Sequence, residues 1–309
     1  MKVGFVYDDK YLLHHREGHP ENRYRLEAIV EGMSERELFS KVELIKPFPA
    51  DAQLISLNHD PQYIEEVIYA SRSGEGWLDP DTYVNEYTFE AASLAVGGVL
   101  GAVELLLKGD LDGAFCAVRP PGHHAEYSKA MGFCIFNNVA IAARYLLSKG
   151  LERIFIVDFD AHHGNGTQHA FYEEPRVFYF STHQYPFYPG TGAAEETGAG
   201  EGIGTTLNIP MPFGADDNLY RQAYGETLVQ AVRGYKPQFL LVSAGYDLHR
   251  DDPLTGLNVS DAGIEFIVKT IVSLAKELDI PLLFALEGGY NLGVLKRNVP
   301  RTVEIMLNS

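Results

Sequence analysis

Short apolar runs alternate with longer amphipathic stretches along almost the whole chain, and this alternation constrains the fold more than any other feature. Several of the runs are apolar throughout, which is typical of strands that are covered on both faces. Eight strands are predicted on this basis: Val3–Tyr7, Val42–Ile45, Gly113–Val118, Arg153–Asp158, Val177–Ser181, Thr206–Ile209, Phe239–Ala244 and Leu282–Leu286.

The stretches between these strands carry apolar residues at helical spacing. Helices are predicted at Glu21–Phe39, Pro61–Arg72, Thr88–Leu107, Asn138–Leu147, Asn218–Tyr235, Ser260–Leu278 and Leu292–Met306. Two of them begin at or directly after a proline, and Ser260 stands at a position that favours a capping side chain. The alternation predicts one α/β domain over residues 1–309, with a parallel sheet and helices on both faces. No internal repeat and no linker rich in Pro, Ser or Gly divides the chain.

The charge balance narrows the class of partner. The chain has 25 Lys and Arg against 42 Asp and Glu, which gives a net charge of −17. Such a field repels phosphate, so direct nucleic-acid binding is not expected. It attracts cationic molecules such as lysine-rich peptides or polyamines, although many cytoplasmic proteins are acidic for solubility alone.

Cysteine content and hydropathy predict the cellular setting. The two cysteines, Cys116 and Cys134, are far apart in sequence, which excludes a disulfide scaffold and fits a reducing cytoplasm. No run approaches about 18 consecutive apolar residues, so no membrane span is expected. Asp8 and Asp9 interrupt the N-terminal run before a signal-peptide core forms. A cytoplasmic location is therefore expected.

Residues with metal-binding chemistry follow two of the predicted strands, and ligand sites in open α/β sheets form beyond the carboxyl ends of the strands. Asp158, Asp160 and His162 alternate after one strand and therefore converge on one face if the backbone stays extended. Asp160 and His162 offer an oxygen and a nitrogen ligand, which suits a borderline divalent metal. Asp247 follows another strand and would complete a three-ligand site of the kind that catalytic zinc uses.

Histidines and a tyrosine follow two further strands. His123 and His124 come after the rigid turn formed by Arg119-Pro120-Pro121-Gly122. Tyr290 follows Gly288-Gly289, where it is positioned to donate a hydrogen bond to an oxyanion. Each of these side chains taken alone has a simpler explanation in packing or capping, so the prediction depends on their convergence at one edge of the sheet.

Seven segments together resemble the histone deacetylase family, within the arginase–deacetylase fold. They are HPENRYRL (19–26), RPPGHHA (119–125), GFCIFNN (132–138), VDFDAHHGNGTQ (157–168), YPGTG (188–192), SAGYD (243–247) and EGGY (287–290). The spellings RPPGHHA and HHGNGTQ resemble the class II branch and its bacterial relatives. The resemblance implies a single-domain, three-layer structure with a mostly parallel eight-stranded sheet and helices on both faces.

The resemblance also implies a role for each matching residue. The zinc ligands would be Asp160, His162 and Asp247, with Fe(II) or Co(II) as substitutes for the one catalytic zinc ion. The catalytic groups would be His123 with Asp158, His124 with Asn165, and Tyr290. Which of the two histidines acts as the base stays open, because their titrations are coupled.

A substrate channel and structural cation sites follow from the same resemblance. Phe133 and Tyr188 would wall a narrow channel with Leu254 at its rim, and Gly132 and Gly288 would complete it. Structural potassium or sodium ions are expected at two places. One site would use Asp158, Asp160, His162 and Ser181, and the other would lie near Phe171. Arg25 would lie in the interior beneath the site.

Three positions depart from patterns that are common in the family. Asn165 stands where the class I branch has an acid, which should leave His124 less basic. Tyr188 stands where many relatives have Phe, and Arg23 replaces a common proline. None of these departures removes an essential group.

The predicted function is zinc-dependent removal of acetyl or other acyl groups from lysine side chains of proteins or peptides. The main alternative is an acetylpolyamine or other small-amide amidohydrolase with the same catalytic centre. An arginase-like hydrolase with two metals and a non-catalytic acyl-lysine binder are less favoured. The loops at Tyr11–His19 and Gly74–Tyr87 are expected at the rim, and a homo-oligomer is possible.

Overall fold

The fold is centred on an eight-stranded sheet in the computed structural model, which describes residues 1–309. The chain forms ten strands, of which two make a separate small hairpin. In chain order they are β1 (Val3–Val6), β2 (Glu43–Ile45), β3 (Gly76–Trp77), β4 (Tyr83–Val84), β5 (Gly113–Cys116), β6 (Ile154–Asp158), β7 (Val177–Gln184), β8 (Thr206–Met211), β9 (Phe239–Ala244) and β10 (Leu282–Leu286).

All eight predicted strands form, and every neighbouring pair in the large sheet is parallel. The strand order is β2-β1-β5-β10-β9-β6-β7-β8. β7 continues to Gln184, beyond its predicted end at Ser181, because it pairs with β8 as far as the Gln184–Met211 register. The small antiparallel hairpin of β3 and β4 was not predicted, since two-residue strands leave no periodic signal.

Ten α-helices connect the strands. They are α1 (Tyr24–Glu35), α2 (Ala52–Ile55), α3 (Pro61–Arg72), α4 (Thr88–Leu107), α5 (Asn138–Ser148), α6 (Asn165–Phe171), α7 (Asp217–Gln222), α8 (Val229–Tyr235), α9 (Asp261–Leu278) and α10 (Leu292–Leu307). The bounds of α3 and α4 agree with the prediction. Ser260 caps α9 as expected, since its side chain accepts a hydrogen bond from the Gly263 amide.

Two predicted helices are wrong in extent. The first was predicted over Glu21–Phe39, but α1 begins only at Tyr24, because Glu21 is fully buried in an ion cluster with Arg119 and Arg25. The second was predicted as one helix over Asn218–Tyr235, but a π-helical segment over Ala223–Leu228 separates α7 from α8. Neither a buried charge nor a change of helical pitch alters the hydrophobic spacing, so the sequence pattern gives no sign of them.

One helix is long and apolar enough to cross a membrane by length and composition, although no span was expected from the sequence. This helix is α4, and 72% of its apolar window is buried inside the protein. Gly97 packs directly against the backbone of Phe48, so α4 lies in close contact with the rest of the chain. These contacts are typical of a core helix.

The strand order places four chemically important strands side by side. β5, β10, β9 and β6 are consecutive neighbours in the middle of the sheet. In a parallel sheet their carboxyl ends meet at one edge, so the segments that follow them are brought together. Each of the four segments contains residues that the sequence marked as functional.

Candidate active site and metal centre

Two carboxylates and one imidazole converge beyond the ends of β6 and β9. The candidate ligand atoms of Asp160, His162 and Asp247 all lie within 4.8 Å of one another. His162 Nδ1 lies 3.0 Å from Asp247 Oδ2 and 3.2 Å from Asp160 Oδ1. Both carboxylates are fully buried. The three predicted ligands are therefore brought together, with two oxygens and one nitrogen facing a common point.

Backbone amides fix the two carboxylates. Gly288 donates to Asp160 Oδ2 at 2.7 Å, and Ala161 donates to Asp247 Oδ1 at 2.8 Å. A Cβ at Gly288 would overlap both carboxylates, so only glycine fits this close approach. Gly288 thus contacts both carboxylates, and its predicted place in the channel stays a prediction.

The charges at this point favour a bound cation. Burial, together with the neighbouring Asp160 carboxylate, raises the pKa of Asp247 above its ordinary range. Burial lowers the pKa of His162, but hydrogen bonds to Asp160 and Asp247 outweigh it and raise that pKa to about 10. Two buried carboxylates in contact are costly unless a proton or a metal ion compensates them. One nitrogen and two oxygen donors fit a borderline divalent metal such as zinc.

His123 faces carboxylates on two sides. Its Nδ1 lies 3.1 Å from Asp158 Oδ2, which also accepts a hydrogen bond from the Tyr179 hydroxyl. Its Nε2 lies 3.8 Å from Asp160 Oδ1. Burial lowers the pKa of His123, but the charges of Asp160 and Asp158 outweigh it and raise the pKa to about 10. These two carboxylates therefore favour the protonated form of His123.

His124 has a neutral partner instead. Its Nδ1 lies 2.8 Å from Asn165 Oδ1. The other end of that amide, Nδ2, faces the His124 carbonyl oxygen at 3.2 Å and Glu126 Oε1 at 2.5 Å. Both of these are acceptors, so Oδ1 must face the imidazole, and His124 Nδ1 carries the hydrogen. Burial and the positive charges of His123 and His162 lower the pKa of His124 well below its ordinary value.

Tyr290 is held by contacts to its backbone and its ring. Its amide donates to Asp252 Oδ2 at 2.8 Å, and the Arg25 guanidinium lies 5.1 Å from the centre of its ring. Arg25 also donates to the carbonyl oxygens of Gly289, at 2.7 Å, and of Glu287. Arg25 therefore lies beneath the site, as the resemblance implied, and fixes the loop that presents Tyr290.

A cavity of about 230 Å³ leads to these groups. It is lined by Asp81, His124, Gly132, Phe133, His162, Phe187, Tyr188, Leu254 and Tyr290. Gly132, Phe133, Tyr188 and Leu254 therefore lie where the resemblance implied. Phe133 has a φ of 69°, a conformation that is rare for a bulky residue and concentrates at functional sites. Clefts of about 280 to 330 Å³ lie elsewhere on the molecule, and they share no lining residue with this cavity.

The residues predicted for the two monovalent cation sites lie on different elements. Ser181 is the register partner of Asp158 across β6 and β7, and its Oγ lies 2.8 Å from His183 Nδ1. Phe171 ends α6 and is buried beneath the Arg144 guanidinium, which lies 4.8 Å from the ring centre. Potassium or sodium binding at these places stays a prediction.

Comparison with known proteins gives a consistent answer. The sequence profile of the Histone deacetylase domain matches residues 19–306. A "Probable deacetylase" of Archaeoglobus fulgidus is 40% identical over 296 residues, covering 94% of this chain and 82% of that protein. "Histone deacetylase 10, chloroplastic" of Oryza sativa subsp. japonica is 42% identical over 313 residues, covering 95% of this chain and 71% of that protein.

The chain belongs to the histone deacetylase family. The crystal structure of the HDA15 HD domain superposes with a TM-score of 0.95 at 33% identity, covering 100% of this chain and 88% of that one. The resemblance seen in the seven sequence segments and the α/β fold that it implied are both confirmed. As a member of this family the protein is an amidohydrolase.

Several functional-site residues of this deacetylase family member were missed by sequence reasoning. The Glu287 carboxylate accepts hydrogen bonds from the amides of Gly122 and His123, at 2.7 and 3.1 Å, and so fixes the turn that carries both histidines. Asp252 accepts hydrogen bonds from the amides of Leu254 and Tyr290 and so connects the rim of the cavity to the loop that presents Tyr290. Glu287 stood inside the EGGY segment, but only Gly288 and Tyr290 of that segment were assigned roles.

A second cluster of metal-binding side chains lies beside the first. Candidate ligand atoms of His123, Cys134 and Glu287 also lie within 4.8 Å of one another, and all three residues are buried. The Glu287 carboxylate already accepts backbone amides, and the Cys134 sulfur accepts the His124 amide at 3.5 Å. Burial raises the pKa of the Cys134 thiol, so that group stays protonated. These contacts give the cluster a structural role.

Proposed function

We propose that the protein is a zinc-dependent deacylase that hydrolyses the side-chain amide of acylated lysine in proteins or peptides. The observation that carries the proposal is the convergence of the cluster of Asp160, His162 and Asp247 with His124 and Tyr290 at one cavity. Fe(II) or Co(II) would suit the same donors. We further propose structural potassium or sodium ions at the Ser181 and Phe171 sites.

Hydrolysis of an amide needs an activated water and a proton for the leaving amine. Zinc held by Asp160, His162 and Asp247 would polarise the carbonyl and lower the pKa of its water. His124 is the better candidate for the base, since it is neutral and its Nε2 is free to accept the proton of the attacking water. The same imidazole would then donate that proton to the leaving nitrogen. His123, protonated beside Asp158, would stabilise the negative charge that develops.

Tyr290 would stabilise the oxyanion. The residue lines the cavity, and its hydrogen bond to the protein is made by its backbone amide, so its hydroxyl is free to donate to the substrate oxygen. Arg25 and Asp252 hold the ring and the backbone in place before substrate arrives. Such preorganisation lets the donor act without a reorganisation cost during the reaction.

The cavity lining supports an acyl-lysine substrate. Phe133 and Tyr188 offer aromatic walls to a thin aliphatic stem, and Leu254 adds an apolar rim. The net charge of −17 would attract the basic surroundings of lysine side chains in proteins.

One observation favours an acetylated polyamine as a second candidate substrate. Asp81 lies in the cavity lining, so the channel contains a carboxylate in addition to the apolar rim. Burial and the neighbouring Asp79 raise the pKa of Asp81. A carboxylate at this place would accept either a peptide amide hydrogen or the ammonium group of a polyamine.

Parallel hydrolysis assays test the proposal. An ε-acetyl-lysine peptide and acetylspermidine are each incubated with zinc-loaded protein and with protein stripped by a chelator. Faster cleavage of the peptide, only with metal, is the expected result. Cleavage of acetylspermidine alone would keep the catalytic centre but replace the substrate assignment. Zinc binding without cleavage of either amide, or of peptides with longer acyl groups, would contradict catalysis and favour a binding protein.

A further inference from the structure

A series of hydrogen bonds leaves the active site on the His124 side and ends at the protein surface. Asn165 Nδ2 donates to Glu126 Oε1 at 2.5 Å, and the two Glu126 oxygens lie 2.8 and 3.0 Å from His169 Nδ1. Asn165 is 2% exposed, whereas the side chains of Glu126 and His169 are 25% and 49% exposed. The series therefore connects a buried catalytic histidine to solvent.

Its outer end lies in a cleft that is distinct from the substrate cavity. This cleft has a volume of about 300 Å³. It is lined by Leu57, Asn58, Glu126, Tyr127, Arg144, Gly166, His169 and Ala170. No residue of this lining also lines the cavity at Tyr290, so Glu126 and His169 have no direct access to a substrate there.

Glu126 determines which end of the Asn165 amide faces His124. If the amide were flipped, Oδ1 would lie against the Glu126 carboxylate and against the His124 carbonyl oxygen, with no hydrogen between acceptors. A carboxylate at 2.5 Å admits only the N–H end. Oδ1 is thereby fixed on His124 Nδ1, and this fixes the tautomer that leaves Nε2 free to accept a proton.

We propose that Glu126 is a positioning residue that holds His124 in its reactive tautomer through Asn165, and that His169 fixes the Glu126 carboxylate. The proposal rests on the proposed function, in which His124 is the base. It also gives a physical reason for the amide at position 165. A carboxylate at position 165 would lie in contact with the like charge of Glu126. The Asn165 amide avoids this repulsion and leaves the Glu126 charge one hydrogen bond further from the His124 imidazole.

Kinetics of the zinc-loaded protein on an acetyl-lysine peptide test the role of Glu126. Glu126→Ala is expected to lower kcat about 10- to 100-fold while KM stays within about two-fold, the range typical of groups that orient an active-site ligand. Glu126→Gln is expected to retain most of the activity, because its amide oxygen still accepts from Asn165. Glu65→Ala, an exposed substitution on α3, is the matched control and should leave kcat unchanged.

Two outcomes would contradict the positioning role of Glu126. If Glu126→Ala is as active as Glu65→Ala, the positioning role is wrong. A rise in KM with an unchanged kcat would also overturn it, because that result would place Glu126 in substrate binding.

A paired substitution tests the like-charge argument. Asn165→Asp is expected to lower kcat, since the new carboxylate lies beside Glu126. Adding Glu126→Gln removes one of the two charges, so the double variant should be more active than Asn165→Asp alone. A double variant that is less active than Asn165→Asp would contradict the proposal.

A measurement without turnover separates this proposal from the proposed function. The ¹⁵N chemical shifts of the His124 ring report its tautomer, which is expected to be Nδ1–H in the wild type and mixed in Glu126→Ala. If the wild type hydrolyses no amide but this difference is seen, only the proposed function fails. If the wild type is active and the tautomer is the same in both proteins, the positioning role fails.

Discussion

The two adjacent histidines in the segment that follows β5 have different partners, and their pKa values are shifted in opposite directions. Their ring centres are only 4.0 Å apart, and both side chains are buried. His123 contacts the Asp158 carboxylate, and its pKa rises to about 10, whereas His124 contacts the Asn165 amide, and its pKa falls well below the ordinary value. The hydrogen-bond partner of each imidazole, Asp158 or Asn165, therefore favours the charged form in one histidine and the form that accepts a proton in the other.

Removing each imidazole in turn should distinguish the two histidines most strongly. His124→Ala is expected to lower kcat/KM by about 100- to 10 000-fold, because a general base typically contributes that much. His123→Ala should cost less, since that side chain stabilises charge and transfers no proton. The two values of kcat/KM, measured with zinc-loaded protein, check the order. A larger loss for His123→Ala would reverse the assignment.

In the proposed mechanism Tyr290 would act on the substrate oxygen, and it contacts neither Asp158 nor Asn165. Tyr290→Phe removes only the hydroxyl and should lower kcat about 100- to 1000-fold, the usual cost of losing one oxyanion donor. Zinc content and the midpoint of thermal unfolding should not change. Wild-type turnover in this variant would refute the role, and a loss of zinc would show that the substitution disturbs the metal centre instead.

Asp158→Asn would replace the carboxylate partner of His123 with an amide, which is the kind of partner that His124 has. The variant loses the carboxylate that stabilises the charged imidazole, so kcat should fall about 10- to 100-fold. Zinc binding, measured separately, should persist, because the three ligands Asp160, His162 and Asp247 are unchanged. An unaltered kcat would show that the charge on His123 is not needed.

The pH dependence should show the smallest effect. A base must be neutral to act. Because the pKa of His124 lies below its ordinary value of 6.5, this imidazole stays neutral at pH 6.5 and at somewhat lower pH. The fall of kcat/KM on the acidic side should therefore lie below pH 6.5. In Asn165→Asp the fall should move to higher pH, since a carboxylate partner favours the charged imidazole. A wild-type profile that falls at or above pH 6.5 would contradict the neutral assignment.

The sheet and the site residues at the strand ends could be predicted from the sequence because both depend on local patterns. Apolar runs mark buried strands such as β9, whose predicted bounds are the observed ones. Parallel strands end at one edge, so the strand pattern predicts Asp160, Asp247 and Tyr290 at that edge, whereas their roles were implied by the resemblance.

The outer contacts could not be predicted, since they depend on distances between segments that are remote in sequence. Glu126 and Asp252 look like ordinary loop acids until the fold places them against Asn165 and the Tyr290 amide. The start of α1 was missed for a related reason. Glu21 is polar and follows a proline, as helix starts often do, but its carboxylate is required as the counter-charge of the buried Arg119.

Zinc titration of the chelator-stripped protein tests the central claim most directly. Hydrolysis of an ε-acetyl-lysine peptide is followed as zinc is added in steps. We expect no hydrolysis before zinc is added and full activity at one catalytic ion per chain, since Asp160, His162 and Asp247 form one ligand set. Hydrolysis by the stripped protein, or a requirement for two catalytic ions per chain, would contradict it.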